Sequence, residues 1–304
     1  MRIWFAMMLL CLPLAVEGAD EHTSLVQGAG HYLFHDPVTQ QSVTVYYYQP
    51  HNYSAETPVV LVLHGLRRDA REYRDSWAEY AEREGLMVLA PRFSAEVYPG
   101  GNGYNLGNVF QATSTQEIRG RTRPQEINPP ENWAFTLVER LFTDFRMHSP
   151  QGPTTYYLYG HGAGAQFAHR FAMFMPDSQA QEIIVAAAGW YTMPDPSIEW
   201  PYGTGGVPMM DPEAIKSFLA QPLLLLAGGA DTTTLHTVMR QTPEANAQGV
   251  NRVERTRNYY AFAERQARDA KLEFNWRQWV MPGVTHSPEQ MTPFAARYIA
   301  LQAR

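Results

Sequence analysis

The stretch TTYYLYGHGAGAQFAHRF, residues 154–171, decides how this chain is read. It sets an apolar strand, a glycine-rich turn and a helix end to end. Two chemistries share that outline. A nucleophile elbow, G-x-S-x-G, exposes a serine that attacks acyl carbonyls. A dinucleotide fingerprint, G-x-G-x-x-G/A, cradles a pyrophosphate on a helix N-terminus. Residues 160–165 read Gly-His-Gly-Ala-Gly-Ala and fit the second pattern at every position. They miss the first only at its centre, where Gly162 stands in place of serine.

The fingerprint would make the chain a dinucleotide-binding oxidoreductase, and it asks for an acidic residue at the end of the next strand to hold the ribose hydroxyls. The next strand-like run, 183–188, leads into Gly189 and Trp190, while Asp177 and Glu182 precede it. The elbow makes three demands, and the sequence meets each. VVLVLHGLRR (59–68) places His64 and Gly65 directly after a strand. There the amide of Leu66 can face a developing oxyanion, with the amide of Ala163 as the second donor. PLLLLAGGAD (222–231) puts Asp231 just past a buried strand, where a triad acid belongs, and WVMPGVTHSPEQM (279–291) puts His286 in a loop after the last strand. A lone His-Gly pair is ordinarily a tight turn and a lone loop histidine a surface residue. The chain order of elbow, acid and histidine gives the three a joint meaning.

The rest of the chain supports an α/β sheet. Strand-like runs fall at 30–35, 42–49, 58–63, 86–90, 154–159, 183–188, 222–227 and 274–281, and the central ones are continuously apolar, as in a parallel sheet buried on both faces. Helical periodicity fits 69–84, 131–147, 163–175, 211–220, 256–271 and 288–302. The first two strands lack a helix between them and are expected to pair antiparallel at one edge. Two long segments, 91–130 and 190–210, are expected as loops over the carboxyl edge of the sheet, where open α/β folds bind ligands.

The chain has 304 residues, 45% hydrophobic and 18% charged, with a formal net charge of −6. An acidic balance argues against a nucleic-acid partner; the cluster Arg119, Arg121 and Arg123 reads as a solvated loop. Residues 1–18 read as a secretory signal peptide: Arg2, an apolar run from Ile3 to Val16, and small residues before Gly18. This leaves 19–304 as a single domain, secreted or periplasmic, with no membrane anchor. Cys11 is the one cysteine and lies inside that leader, so no disulfide is expected. No histidine has partners at metal-ligand spacing, His31 and His35 included, and no cofactor or metal is expected. Arg252, Arg255 and Arg257 read as surface capping or pairing residues. Trp190, Tyr191, Trp200 and Tyr202 read as pocket walls for an apolar acyl or polyester chain.

With these pieces in place the sequence resembles the α/β-hydrolase superfamily, and within it secreted esterases related to polyhydroxyalkanoate depolymerases. LHGLRR (63–68), YNLGNVF (104–110), LYGHGAGAQFAHRF (158–171), AAAGWYTMPD (186–195), PYG (201–203) and PGVTHSPEQM (282–291) carry the resemblance over nearly the whole mature chain. It implies a mostly parallel sheet of about eight strands with helices on both faces. The elbow of such relatives reads like G-H-S-A-G, which maps the nucleophile onto Gly162, the acid onto Asp231 and the base onto His286. It also implies an oxyanion hole at Leu66 and Ala163, substrate contacts at His64, Tyr104, Trp190 and Tyr191, and a small-molecule or polymeric ester substrate. Glycine supplies no Oγ for an acyl-enzyme. The chain is then a degenerate hydrolase that binds without turnover, or a serine-to-glycine variant of an active one.

Overall fold

The strands in the middle of the chain are apolar at every position because helices cover both faces of the sheet they form. In the computed structural model, residues 25–111, 126–149, 152–235 and 239–303 are described. The segment 1–18 expected as a leader, with Cys11, and the Arg119, Arg121 and Arg123 cluster lie outside them. The strands are β1 (Gly28–His35), β2 (Ser42–Gln49), β3 (Val59–Leu63), β4 (Met87–Pro91), β5 (Tyr156–His161), β6 (Ala180–Ala186), β7 (Leu223–Gly228) and β8 (Trp276–Met281). They form one sheet in the order β1-β2-β4-β3-β5-β6-β7-β8. β1, β2 and β4 pair antiparallel, and the pairs from β4 and β3 through to β8 are parallel. This is the α/β-hydrolase arrangement that the resemblance implied.

Alternate residues of each strand enter opposite cores, as the two-residue period of a strand requires. Val60, Val62, Val88, Tyr157, Tyr159, Ile184, Leu224 and Leu226 pack under α1 (Ala70–Glu84) and α8 (Pro288–Gln302). Leu61, Leu63, Leu89, Leu158, Ile183, Val185, Leu223 and Leu225 pack on the other face. There they meet α3 (Ala134–His148), α4 (Ala163–Phe174), α5 (Pro212–Ala220) and α7 (Arg252–Ala270). The short helices α2 (Gly100–Gly103) and α6 (Pro243–Ala247) lie in the connections. α4 is buried along all of its length except Gln166. His169 and Arg170 are buried in it as well, and its first turn packs against the exit of β3 at the middle of the sheet.

Most element boundaries differ from the sequence reading by one to three residues, and two of the differences have a clear local cause. β6 runs over 180–186 rather than 183–188, because Ala187 takes a left-handed φ of 53° and ends the strand. α7 starts at Arg252 rather than 256, because the Asn251 side chain caps it, accepting from the amide of Glu254.

Candidate active site

The elbow is built by three glycines with different tasks. A Cβ on Gly160 would stand 2.1 Å from the carbonyl oxygen of Gly164, and one on Gly164 would stand 2.3 Å from that of Leu63. Both must be glycine so that α4 can descend against β5 and the exit of β3. Gly162 is different. Its φ of 59° and ψ of −110° are the strained turn between strand and helix. A Cβ there would meet only the imidazole of His286, at 3.6 Å from Nε2 and 3.7 Å from Cε1. The position is open toward the histidine and closed by nothing else within 4 Å.

The loops after β7 and β8 are stitched together, and this brings Asp231 to His286. The amide of Gly229 donates to the Met281 carbonyl at 2.7 Å and that of Ala230 to the Val284 carbonyl at 2.8 Å. His286 Nδ1 lies 3.0 Å from Asp231 Oδ2. The other carboxylate oxygen, Oδ1, accepts from Arg252 Nη1 at 3.0 Å. Burial alone would raise the Asp231 carboxyl, but the hydrogen bond from His286 and the charge of Arg252 outweigh it, so its pKa lies below the usual carboxylate value. An ionised Asp231 can only accept, so the neutral imidazole of His286 carries its proton on Nδ1, and Nε2 is the ring nitrogen that faces Gly162.

His161, inside the elbow, stacks its ring on His286 with centroids 4.6 Å apart and planes 28° from parallel. Its Nδ1 is 2.8 Å from the hydroxyl of Tyr73 on α1. Burial, with the neighbouring His286 and Arg252, holds His161 well below the ordinary histidine pKa. The neutral ring forms a wall behind His286. Ser287 is occupied as the cap of α8, accepting from the Gln290 amide and donating to Glu289. Thr232 and Thr234 are exposed and Thr233 is half-buried, beside the buried Asp231.

Leu66 is 78% exposed in the turn after β3; the carbonyls of Leu63 and His64, at the start of that turn, lie against Gly164 in the first turn of α4, which Ala163 begins. Leu63 pairs with Gly160, so both turns rise from neighbouring strands at one end of the sheet.

The four residues expected as substrate contacts, His64, Tyr104, Trp190 and Tyr191, are all buried. His64 is fully buried; its Nδ1 lies 3.0 Å from the Gly65 carbonyl, and its Nε2 accepts from the Phe93 amide at 3.1 Å. Burial pushes its pKa down to about 3. Tyr104 is also fully buried, donates to the His64 carbonyl at 2.7 Å and lies under the guanidinium of Arg68. Trp190 stacks on the buried Arg170 at 4.2 Å, and Tyr191 stacks on Tyr259 at 4.2 Å while its hydroxyl pairs with Thr256. These contacts brace the loops on which the four side chains stand. An open cavity of about 490 Å³ does border the 190–210 segment, lined by Met193, Ile198, Tyr202, Tyr259 and Phe262 among others, but Gly162, Asp231 and His286 are not among its walls. Arg252 and Arg255 are buried rather than on the surface.

The sequence reading gave Arg252, His161 and Tyr73 no part beside His286. A signal existed for Arg252: a cation in the first turn of a helix opposes the macrodipole, which points to a carboxylate holding it there.

No protein-family model matches the chain, and no curated protein matches it. Solved structures do. Poly(aspartic acid) hydrolase-1 from Sphingomonas sp. KT-1 is 35% identical, with a TM-score of 0.82 over 90% of this chain and 98% of that one. LpqC, a poly(3-hydroxybutyrate) depolymerase from Bordetella parapertussis, is 30% identical, with a TM-score of 0.80 over 92% of this chain and 96% of that one. The chain belongs to the α/β-hydrolase superfamily. Its similarity extends at the level of the fold to an S-formylglutathione hydrolase from Agrobacterium tumefaciens, at 15% identity and a TM-score of 0.54 over 92% of this chain and 96% of that one. An α/β-hydrolase assignment accounts for the glycine pattern as an elbow; nothing in the fold or among these structures supports dinucleotide binding. Among the described residues, no helix is long and apolar enough to cross a membrane.

Proposed function

We propose that this protein is a carboxylic-ester hydrolase framework for acyl esters or polyester-like chains in which the nucleophile position is Gly162. Asp231 and His286 take the roles of acid and base, and the amides of Leu66 and Ala163 those of oxyanion donors. The observation that carries this reading is the 3.6 Å between the Cβ site of Gly162 and Nε2 of His286. A serine hydroxyl, one bond beyond that Cβ, falls within hydrogen-bond reach of the nitrogen. Without it no acyl-enzyme forms, and only the residual catalysis of oxyanion donors and binding is left, on the order of 10³–10⁴ over water. The similarity to a poly(aspartic acid) hydrolase and a poly(3-hydroxybutyrate) depolymerase supports a polymeric or oligomeric substrate. The leader at 1–18 makes the working location the periplasm or the exterior.

Gly162→Ser tests the reading. The variant should hydrolyse p-nitrophenyl acetate and butyrate on the order of 10²-fold faster than the parent, since a triad acts as a unit, and should react with a fluorophosphonate probe. A second change, His286→Ala, should abolish the gain. A well-folded Gly162→Ser protein with no gain on any acyl ester would remove the hydrolase reading and leave a binding protein for acyl or oligoester ligands.

A further inference from the structure

The acid alone does not fix the ring of His286. A single hydrogen bond from Nδ1 to Asp231 leaves an imidazole able to pivot about that bond, and the side chain is 33% exposed, so solvent and not packing meets part of it. The ring of His161 supplies the missing restraint, with its centroid 4.6 Å from that of His286 and its plane 28° from parallel. His161 is itself held at one point. Its Nε2 is buried with no hydrogen-bond partner among the described residues, and its Nδ1 lies 2.8 Å from the Tyr73 hydroxyl. Tyr73 is buried in the first turn of α1, and its hydroxyl touches a second part of the site. A Cβ on Gly65 would stand 2.9 Å from that oxygen, closer than a side chain can approach without displacing it. One oxygen is thus wedged between the turn that leads into Leu66 and the strand end that leads into Gly162.

We propose that Tyr73 is a positioning residue for the base: its hydroxyl fixes the plane of His161, and that ring fixes the plane of His286, so that Nε2 stays directed at position 162. This rests on the ester-hydrolase reading of the same site. The hydroxyl can donate to an unprotonated Nδ1 or accept from a protonated one, so the contact holds for either tautomer of His161. Only an uncharged His161 suits the task. His286 becomes a cation when it takes a proton as general base, and a second cation stacked on it would oppose that step. Burial keeps His161 uncharged. A tyrosine hydroxyl adds direction to this ring without adding charge, which neither a carboxylate nor an ammonium group could do in its place. Without that hydroxyl both ring nitrogens of His161 are buried and unpaired. Nothing then selects the ring orientation that stacks on His286.

Two measurements test this. In the unaltered protein, proton NMR at low temperature should show the His286 Nδ1 proton, bound to Asp231, as a far-downfield line that is lost in His286→Ala. In Tyr73→Phe that line should broaden or vanish, because a ring that swings opens the proton to exchange with water. In the Gly162→Ser background, Tyr73→Phe should lower kcat on p-nitrophenyl butyrate on the order of 10-fold with KM unchanged, a fraction of the 10²-fold that an ångström of misplacement can cost. With His161→Phe also present, the same Tyr73→Phe change should alter kcat by less than about twofold, since Tyr73 has then lost the ring it acts through. Equal losses in both backgrounds would make Tyr73 a structural residue and overturn the proposal. So would a far-downfield line absent from the unaltered protein, or one that Tyr73→Phe leaves unchanged. If His161→Phe folds poorly, Tyr73→Phe, which deletes a single oxygen, still decides through the NMR line and kcat. An active Gly162→Ser whose kcat is indifferent to Tyr73→Phe would overturn the proposal while sparing the hydrolase reading. A well-folded but inactive Gly162→Ser would overturn the hydrolase reading and the proposal with it.

Discussion

At the scale of single residues, the site is a chain of dependencies that ends at one atom. Arg252 and His286 share the two oxygens of Asp231, and both members of the Arg252–Asp231 pair are almost wholly buried. Removing the arginine leaves a buried carboxylate with half its support. Breaking such a pair from one side costs roughly 3–5 kcal/mol, so Arg252→Ala should lower the unfolding free energy by about that amount in a denaturant titration. A loss under about 1 kcal/mol, the range of exposed pairs, would mean the pair is not dry. Gly162 acts in the opposite sense. At a φ of 59° any side chain is strained, so Gly162→Ser and Gly162→Ala should each lose about 1–3 kcal/mol. Only the serine variant should gain esterase rate. Equal melting temperatures for the parent and both variants would show the elbow relaxing around the new side chain.

At the scale of elements, the legible parts of the sequence were those where one local rule acts alone. The central strands β3, β4, β5 and β7 were readable as apolar runs, since burial on both faces leaves no competing pattern. Helix starts were readable where a cap coincided with an apolar stripe. Asp211 and Ser287 each precede Pro-Glu and cap α5 and α8, accepting from the amides of Ala214 and Gln290. Thr242 precedes Pro-Glu as well and caps α6, but five residues show no periodicity, so that helix escaped. The start of α7 escaped although Asn251 and Glu254 form a reciprocal cap, because the turn that follows is charged rather than apolar. The positions of Gly162, Asp231 and His286 followed from strand endings, whereas the burial of His64, Tyr104, Trp190 and Tyr191 depends on contacts between distant loops that no local pattern encodes. Caps also give a paired test. Ser287→Ala and Asp211→Ala should each cost about 1 kcal/mol. In a Gly162→Ser background only Ser287→Ala, next to His286, should also slow ester hydrolysis. Equal effects on rate would mean the α8 cap does not position the base.

At the scale of the whole molecule, the carboxylates set the response to acid, and their signs differ. Asp36 is buried against Arg140, which donates from Nε at 2.7 Å and Nη2 at 2.6 Å. Burial alone would raise its pKa, but these bonds, those from Thr39 and the Val38 amide, and the charge of Arg140 leave it depressed. Asp231 is depressed by its own partners. A group whose folded-state pKa is lowered contributes stability above its unfolded-state value. That contribution is lost as pH falls through the folded-state value, because the unfolded chain takes up the proton first. Glu182 works the other way. Burial raises its pKa despite its bonds to Arg277 and Tyr298, so its protonation favours the folded state and blunts the overall acid slope. The total slope therefore cannot isolate one pair, but a variant can. Asp36→Asn cannot ionise; it should melt below the parent at pH 7, and the gap should narrow steadily from about pH 5 downward. Melting curves of both proteins from pH 7 to pH 3 provide the check. A gap that stays constant across that range would mean the Asp36–Arg140 contact stabilises by packing and hydrogen bonding alone, with no contribution from its charge.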